Sequence, residues 1–364
     1  MVKVLYDHQI FTEQAYGGIS RYFKYLMDGI KVTDDVSYKL GSLRSNNYYI
    51  QDEELPLRIP LYNALFKTQE KLVKRNNSYS KYLVKKNDFS LLHPTYFNPY
   101  LLKYLKKPLV VTVHDMTYEA LPQFFSSSDP LPYYKRIMME KAEKIIAISE
   151  TTKADILKYS NIKEDKIEVI LHGIDLNLPK YAPVADLPEK YILFVGARWS
   201  YKNFHMVADA FKKLAHTHPE LKLVLAGGGP LTYGDSEFLT RNGILDKTIQ
   251  ISASDEQLNT LYKNALCFIY PSLYEGFGFP ILEAFKNGCP VLLSNCSCFE
   301  EIAGDGAQYF DHLSLQSLTD QIEKIISTSS LRAEMISVGK SKLLEYPIEN
   351  CVSKTIKLYQ KIGC

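Results

Sequence analysis

Short β-branched runs alternate with longer amphipathic stretches along almost the whole chain, and few folds accept that pattern. Strands joined by crossover helices lie parallel, and parallel strands are covered on both faces, so they read as continuous apolar runs. Such runs fall at residues 2–6, 90–92, 109–113, 145–148 and 167–170, with amphipathic stretches such as 19–29 and 132–144 between them. The alternation lapses at 176–190, where Asn-Leu-Pro-Lys-Tyr-Ala-Pro-Val-Ala-Asp-Leu-Pro has three prolines and neither period. It restarts with runs at 191–195, 222–226, 248–251, 267–270 and 291–294. The expected class is therefore α/β, with two Rossmann-like domains at 1–175 and 191–344 joined by a linker at 176–190. Residues 345–364 read as a terminal helix, and the pattern does not say which domain it joins.

A chain of 364 residues, 46% hydrophobic, has apolar material for two cores. Its 43 Lys and Arg nearly balance 41 Asp and Glu, so no global field recruits nucleic acid, and an anionic ligand must meet a local site. No run of eighteen apolar residues suggests a membrane span. The opening Met-Val-Lys-Val-Leu-Tyr-Asp-His turns polar by its seventh residue, which suits a first strand, and no signal peptide is expected. Six cysteines all lie beyond residue 266, and Cys296 and Cys298 are too close for a C-x-x-C knuckle, so reduced thiols of a cytoplasmic protein are expected.

The most informative stretch is Glu275-Gly276-Phe277-Gly278-Phe279-Pro280-Ile281-Leu282-Glu283, a glycine loop that follows a run ending in Tyr270 and feeds a helix. Gly276 and Gly278 let the backbone approach a ligand, Pro280 suits the first helical turn, and free amides there hold anions. Glu275 and Glu283, eight positions apart, flank that approach, and carboxylates accept hydrogen bonds from the paired hydroxyls of a ribose or a hexose. A glycosidase pair would need two carboxyls facing one bond roughly 5–10 Å apart, a separation that sequence does not fix.

This E-G-F-G-F-P-x-L-E-A stretch resembles the E-x7-E signature of the retaining family 4 glycosyltransferases. The resemblance implies the GT-B fold, two Rossmann-like domains facing each other across a cleft. The second would hold most of a nucleotide diphosphate sugar and the first most of the acceptor. It implies that Glu275 contacts the donor sugar, with Gly276, Phe277 and Gly278 in the same loop, and that Glu283 binds the ribose. In Phe194-Val195-Gly196-Ala197-Arg198-Trp199-Ser200-Tyr201-Lys202-Asn203, two cations sit at a βα turn, where fixed positive charge stabilises a leaving diphosphate. The family carries an Arg and a Lys there. Arg198 and Lys202 match in kind, although Ala197 follows the Gly and Tyr201 precedes the Lys, so Lys202 is the closer match.

In Tyr16-Gly17-Gly18-Ile19-Ser20-Arg21, Gly17 and Gly18 follow the first run, where the family has a Gly-Gly loop beside the donor phosphates and acceptor. In Val111-Thr112-Val113-His114-Asp115-Met116, His114 ends a parallel strand, where open α/β sheets bind ligands. The family has a histidine in this H-D turn beside the donor sugar, and a neutral imidazole can donate to a hydroxyl there. His93 and His172 are read as shaping the site rather than reacting. Ala226-Gly227-Gly228-Gly229-Pro230 is a further family-like segment, a strand ending in a glycine turn.

No Asp-x-Asp occurs, so the carboxylate pair that elsewhere holds a metal on the donor diphosphate is missing, and neither a metal site nor a cofactor is expected. Neither a G-x-S-x-G elbow nor a P-loop occurs, which removes esterase and kinase readings. From 67 to 86, Lys67, Lys71, Lys74, Arg75, Lys81, Lys85 and Lys86 face a single acid, Glu70, with Leu72, Val73, Tyr82, Leu83 and Val84 interleaved. That suits a solvated helix face or a peripheral contact with anionic headgroups at the inner face of a membrane. The family resemblance, and with it a resemblance to bacterial polysaccharide-assembly mannosyltransferases, implies a metal-independent, retaining glycosyltransferase of surface polysaccharide synthesis. It would move a hexose, mannose being the specific expectation, from a GDP- or UDP-linked donor to a glycan or lipid-linked acceptor. The alternatives are an inactive family member serving as a binding or scaffold subunit, and a GT-B sugar-nucleotide epimerase or phosphorylase.

Overall fold

The computed structural model describes residues 1–57, 66–198 and 200–363. Residues 58–65, Trp199 of the cationic turn, and Cys364 lie outside the described residues. The chain divides into two compact units.

The first unit is Met1–Glu119, Phe125–Gly173 and Ile348–Cys364. It opens with β1 (Val2–Tyr6), α1 (Gln9–Glu13), α2 (Gly18–Lys31), β2 (Val36–Leu40), α3 (Gln69–Lys86) and β3 (Leu91–His93). It continues with β4 (Val110–Val113), α4 (Thr117–Ala120), α5 (Leu131–Lys141), β5 (Lys144–Ala147), α6 (Glu150–Tyr159) and β6 (Ile167–Val169). The strands run in the orders β2-β1-β3 and β4-β5-β6, all parallel. The Leu92 amide donates to the Pro108 carbonyl at 2.9 Å and joins the two halves. Val4, Leu5 and Tyr6 on β1 and Leu91 on β3 are buried on both faces of the sheet, as continuous apolar runs require. β2, whose exposed-leaning Val-Ser-Tyr-Lys-Leu is neither continuous nor cleanly alternating, is a strand the sequence pattern does not announce.

The second unit is Ala120–Phe124 with Ile174–Pro347. Its elements are β7 (Tyr191–Val195), α7 (Phe204–Thr217), β8 (Lys222–Ala226), α8 (Tyr233–Arg241), β9 (Thr248–Ile251), α9 (Asp255–Asn264) and β10 (Cys267–Tyr270). They are followed by α10 (Phe279–Lys286), β11 (Val291–Ser294), α11 (Ser297–Ala303), β12 (Gln308–Phe310), α12 (Leu315–Ser327) and α13 (Ser329–Leu343). The order β12-β11-β10-β7-β8-β9, parallel throughout, is that of a doubly wound sheet. The chain leaves β7 towards β8 and β9 and later returns to its other side with β10, so the winding reverses between β7 and β10.

Two boundaries differ from the sequence reading. The proline-rich segment 176–190 is not a free linker: it belongs to the second unit and is pinned along α9. Ala182 donates its amide to Glu256 O at 3.2 Å and accepts from Thr260 Oγ1 at 2.7 Å, while Gln257 and Asn259 donate to Pro183 O and Lys180 O. Prolines remove regular secondary structure without removing carbonyl acceptors, and those acceptors are what α9 uses. The terminal helix, α14 (Ile348–Gly363), belongs to the first unit. Ile348, Cys351, Ile356, Leu358 and Tyr359 share a core with Val2, Val4, Tyr6, Phe23, Met27 and Ile30.

Polar contacts fix that docking as well. Tyr359 Oη lies 2.5 Å from His93 Nδ1 and 3.1 Å from Tyr6 Oη, and His93 Nε2 lies 3.0 Å from Thr112 Oγ1. The alternating network satisfies four buried polar side chains that would otherwise each carry an unmet desolvation cost. Where α14 crosses α2, Gly29 has no side chain, and a Cβ built there would overlap Val352 Cγ1. Gly29→Ala should therefore destabilise the first unit by about 1–3 kcal/mol through overpacking, partly offset by about 1 kcal/mol of helix propensity. A lowered melting midpoint that Val352→Ala restores in the double variant is the expected result, and additive losses would contradict it.

Candidate active site

In an open parallel sheet, ligands bind beyond the carboxyl ends of the strands at the point where the winding reverses. In the second unit that point lies between β7 and β10, and the two loops leaving them carry Lys202 and Glu275. Lys202 Nζ and Glu275 Oε1 are 2.5 Å apart, their side chains 21% and 15% exposed, and Leu273 donates its amide to Tyr201 O at 2.8 Å, tying loop to loop. The ammonium also lies 5.6 Å from the Tyr270 ring centroid and 5.1 Å from that of Tyr201. Burial, and then the Glu275 carboxylate, hold the Tyr270 phenol well above its ordinary pKa.

The backbone around Lys202 is forced. Gly196 has φ 132°, and two residues with side chains, Ser200 at φ 61° and Asn203 at φ 54°, take the left-handed conformation on either side of the lysine. Such geometry costs on the order of 1 kcal/mol per residue and persists where surrounding structure fixes it. Across the switch point, Gly278 caps α10 with φ 103°, Pro280 occupies the first turn, and no side chain caps the helix. A Cβ at Gly278 would lie 2.9 Å from Ile281 Cδ1 and 3.2 Å from Phe299 Cε1, so glycine is required by space as well as by φ. The uncapped amides of that turn suit an anion. Glu283, on α10, accepts from Tyr262 Oη at 3.2 Å. Gly276 is buried in the loop, and the Phe277 ring is buried 5.8 Å from Phe279 and 6.0 Å from Tyr346, so Phe277 turns its side chain into the unit.

Arg198 is placed differently from the sequence expectation. It is 2% exposed, and its guanidinium is enclosed. Nε and Nη2 donate to Asp235 Oδ2 at 3.2 and 3.1 Å, Nη1 donates to the carbonyls of Gly227 and Gly229, and Nη2 donates to those of Gly228 and Pro230. Gly227, Gly228 and Gly229 have φ of 75°, 67° and 76°, a left-handed turn whose carbonyls converge on one side, and a cation fills that side. A Cβ at Gly228 would lie 2.6 Å from Gly196 O, so the turn packs directly on the loop that carries Lys202. Arg198 thus shapes the site from within rather than meeting a ligand. Asp235, its partner, was not singled out in the sequence. Thr232 and Asp235 do form a capping box at the start of α8, a pattern legible as such, but nothing in the spacing links it to Arg198.

The first unit carries the remaining candidates at the carboxyl ends of its own strands. Gly18 opens α2 and Gly17 caps it in an extended conformation, where a Cβ would lie 2.5 Å from Gln14 Oε1. The preceding loop is anchored by Asn47 Nδ2 donating to Gln14 O at 2.8 Å and the Tyr48 amide donating to Ala15 O at 2.8 Å. His114 follows β4 and lies 3.3 Å, Nδ1 to Nε2, from His172. Burial, with the Lys135 cation adding and Asp115 opposing, holds His114 down to about 4. His93 is internal, held to about 3 by burial, and serves the network beneath α14 rather than a ligand.

Lys135, not singled out in the sequence, is 1% exposed. It donates to Glu119 Oε2 at 2.9 Å and Asp115 O at 3.0 Å, bracing the His-Asp turn. The five described cysteines are free thiols, and all are buried. Among the described residues the one cluster of acids close enough to share an ion, Asp28, Asp52 and Glu53, already surrounds the Lys24 ammonium at 2.6–3.2 Å.

Both units are parallel α/β structures with glycine-bearing loops beyond their strand ends, and in the second the Lys202–Glu275 pair stands at the switch point of a doubly wound sheet. Residues 16–178 match the family model described as Glycosyltransferase Family 4, and residues 182–342 match that described as Glycosyl transferases group 1. O-antigen chain mannosyltransferase B of Escherichia coli is 26% identical over 288 residues, 75% of this chain and 74% of that protein. O-antigen chain mannosyltransferase RfbU of Salmonella typhimurium is 28% identical over 219 residues, 59% of this chain and 61% of that protein. Among solved structures, sucrose-phosphate synthase from Thermosynechococcus elongatus superposes with a TM-score of 0.76 at 18% identity, covering 99% of this chain and 98% of that one. Anabaena HepE in complex with UDP and glucose superposes with a TM-score of 0.73 at 17% identity, covering 99% of both chains. The chain belongs to the family 4 glycosyltransferases of GT-B fold.

The two cations of the β7 loop should separate in experiment. Arg198→Met leaves four carbonyls without their guanidinium donor and Asp235 with Thr232 alone, and should destabilise the second unit by about 3–5 kcal/mol. Arg198→Lys should restore little, because an ammonium cannot reach a fork of five acceptors. Lys202→Met, at a partly exposed pair, should leave the melting midpoint within about 2 °C while abolishing most transfer. Equal midpoints for the Arg198 and Lys202 variants would sink this division of roles.

Proposed function

We propose that this chain transfers a mannosyl residue from a nucleotide diphosphate donor to a hydroxyl of a growing surface glycan or lipid-linked acceptor, with retention and without a metal. The observation that carries the proposal is the Lys202–Glu275 pair, held at the switch point beside the uncapped turn of α10. The names of the two mannosyltransferase relatives support the sugar, and of the two expected leaving nucleotides, GDP and UDP, we take GDP as the one to test. The C1–O bond to the diphosphate breaks while the acceptor oxygen bonds C1 on the same face, and the acceptor proton passes to the departing phosphate oxygen.

In this reading Lys202 turns from Glu275 to the diphosphate, meeting charge that grows as the bond breaks. That is the task a metal performs where an Asp-x-Asp pair holds one, and this sequence has no such pair. Glu275, released, accepts from hydroxyls of the sugar together with backbone groups at Gly276 and Gly278. Glu283 accepts from the ribose. Gly17 and Gly18 admit the donor phosphates and acceptor, and His114 donates to a sugar hydroxyl.

The test is a thermal-shift and turnover panel with GDP, UDP, ADP, dTDP and their sugar conjugates, without added metal and with EDTA present. A GDP-specific shift lost in Glu283→Ala, and release of GDP that requires an acceptor, are expected. A shift with UDP alone would overturn the base, and release independent of acceptor would favour an epimerase or hydrolase.

No helix of the described residues is long and apolar enough to cross a membrane. For access to a lipid-linked acceptor, we propose that α3 rests on anionic headgroups. Leu72, Asn76, Ser80, Leu83 and Val84 face inward, whereas Lys71, Lys74, Arg75, Lys85 and Lys86 are exposed, with Tyr82 58% exposed and stacked near Tyr79. Co-sedimentation with phosphatidylglycerol vesicles, absent with phosphatidylcholine and lost in Lys74→Glu/Lys85→Glu, is expected. Equal recovery with both lipids would reject the contact.

A further inference from the structure

His172 has no part in the transfer chemistry proposed above, yet it packs against His114 inside the first unit. The two rings stack with centroids 5.4 Å apart and 27° between their planes, and His114 Nδ1 faces His172 Nε2 at 3.3 Å. Tyr22 closes on both, 5.4 Å from the His114 ring and 4.6 Å from that of His172, and its own hydroxyl is fixed 3.0 Å from Thr112 Oγ1. His172 is 3% exposed. Burial holds both imidazoles neutral at pH 7.

A neutral imidazole has one N–H and one lone pair, so two of them meeting nitrogen to nitrogen must place a single proton in the gap. In one arrangement His114 donates from Nδ1, and its Nε2 is left a bare acceptor. In the other His172 donates from Nε2, and His114 carries its proton on Nε2. The surrounding charges favour the second: the Arg21 cation lowers the proton affinity of His172 and the Asp115 carboxylate raises that of His114, so the proton outside the gap is better carried by His114 than by His172. The opposing Lys135 ammonium is already engaged with Glu119 and the Asp115 carbonyl. The outer nitrogen, His114 Nε2, is buried and has no hydrogen-bond partner among the described residues, which leaves it for a ligand.

We propose that His172 is a positioning residue: it donates its Nε2 proton to His114 Nδ1 and so fixes His114 as an Nε2–H donor towards a hydroxyl oxygen of the bound sugar. The inference rests on the transferase reading for its consequence, but not for its structural content. A histidine held in the wrong tautomer keeps its place and loses its function, so the effect should fall on turnover rather than on folding.

Long-range 1H–15N spectra of the histidine side chains at pH 7, in wild type, His172→Gln and His172→Leu, with His114→Gln for assignment, test it directly. His114 is expected as the Nε2–H tautomer in wild type and in His172→Gln, whose amide can donate to Nδ1. In His172→Leu the two tautomers should mix, kcat should fall about tenfold or more, and the donor KM should change less than about threefold. An Nδ1–H tautomer at His114 in wild type overturns the proposal, as does an unchanged tautomer with wild-type kcat in His172→Leu. If His172→Leu does not fold, the wild-type and His172→Gln spectra still decide. If no donor is turned over at all, the transferase reading fails while the spectra decide the tautomer by themselves.

Discussion

All strand pairings in both units are parallel, and the rest of the structure follows from that constraint. Parallel strands end on one edge, so every loop that leaves a strand leaves from the same side of its sheet. A reversal of winding then opens a gap between two of those loops, because one runs to one face and the next runs to the other. In the second unit the gap lies between β7 and β10. Residues 196–203 and 271–278, far apart in sequence, are brought together there by strand order alone, and the Lys202–Glu275 pair is the consequence.

Strand order places the loops but does not hold them. The holding is done in the second unit by Arg198, whose charge is satisfied entirely by the turn it supports. Three consecutive glycines with positive φ would be the most disordered segment of an unfolded chain, and ordering them costs more entropy than ordering other residues. A planar cation that donates to several carbonyls at once offsets that cost and turns the loop into a wall against which residues 196–198 pack. In the first unit a different device does similar work: the Tyr6, Tyr359, His93 and Thr112 network links three strands to α14, so the last helix of the chain braces the sheet that carries Gly17, Gly18 and His114.

Much of this was legible in the sequence, and what was not has physical reasons. The strands of the second unit from β7 to β11 appear with the bounds that their apolar runs suggest, since burial on both faces writes itself into composition. β2 and β12 are edge strands of three to five residues with polar members, and an edge is covered on fewer sides, so it leaves a weaker trace. The segment 176–190 misled because prolines report the absence of regular structure and say nothing about contacts made through carbonyls. The motif positions at Glu275, Gly278 and Lys202 were recognisable because glycine, proline and charge spacing are local facts. The enclosure of Arg198 was not, because it depends on Gly227 to Pro230 and on Asp235, about thirty residues away.

Arg198 and Lys202 therefore illustrate what decides whether a cation near a ligand site is structural or chemical. Both stand in one turn, four positions apart, and residue type alone assigns both to the diphosphate. The difference lies in the number and stiffness of their partners. Arg198 faces four backbone carbonyls and a carboxylate that are themselves fixed by strand ends and a capping box, so no ligand can offer it more than it already has. Lys202 faces one carboxylate, on a loop, and two aromatic rings, with its side chain 21% exposed, so in the proposed reaction an arriving diphosphate would compete with one hydrogen-bonded partner rather than with five. A charge that must change partners during a reaction has to be held by few and exchangeable contacts, and of the two cations only Lys202 meets that condition.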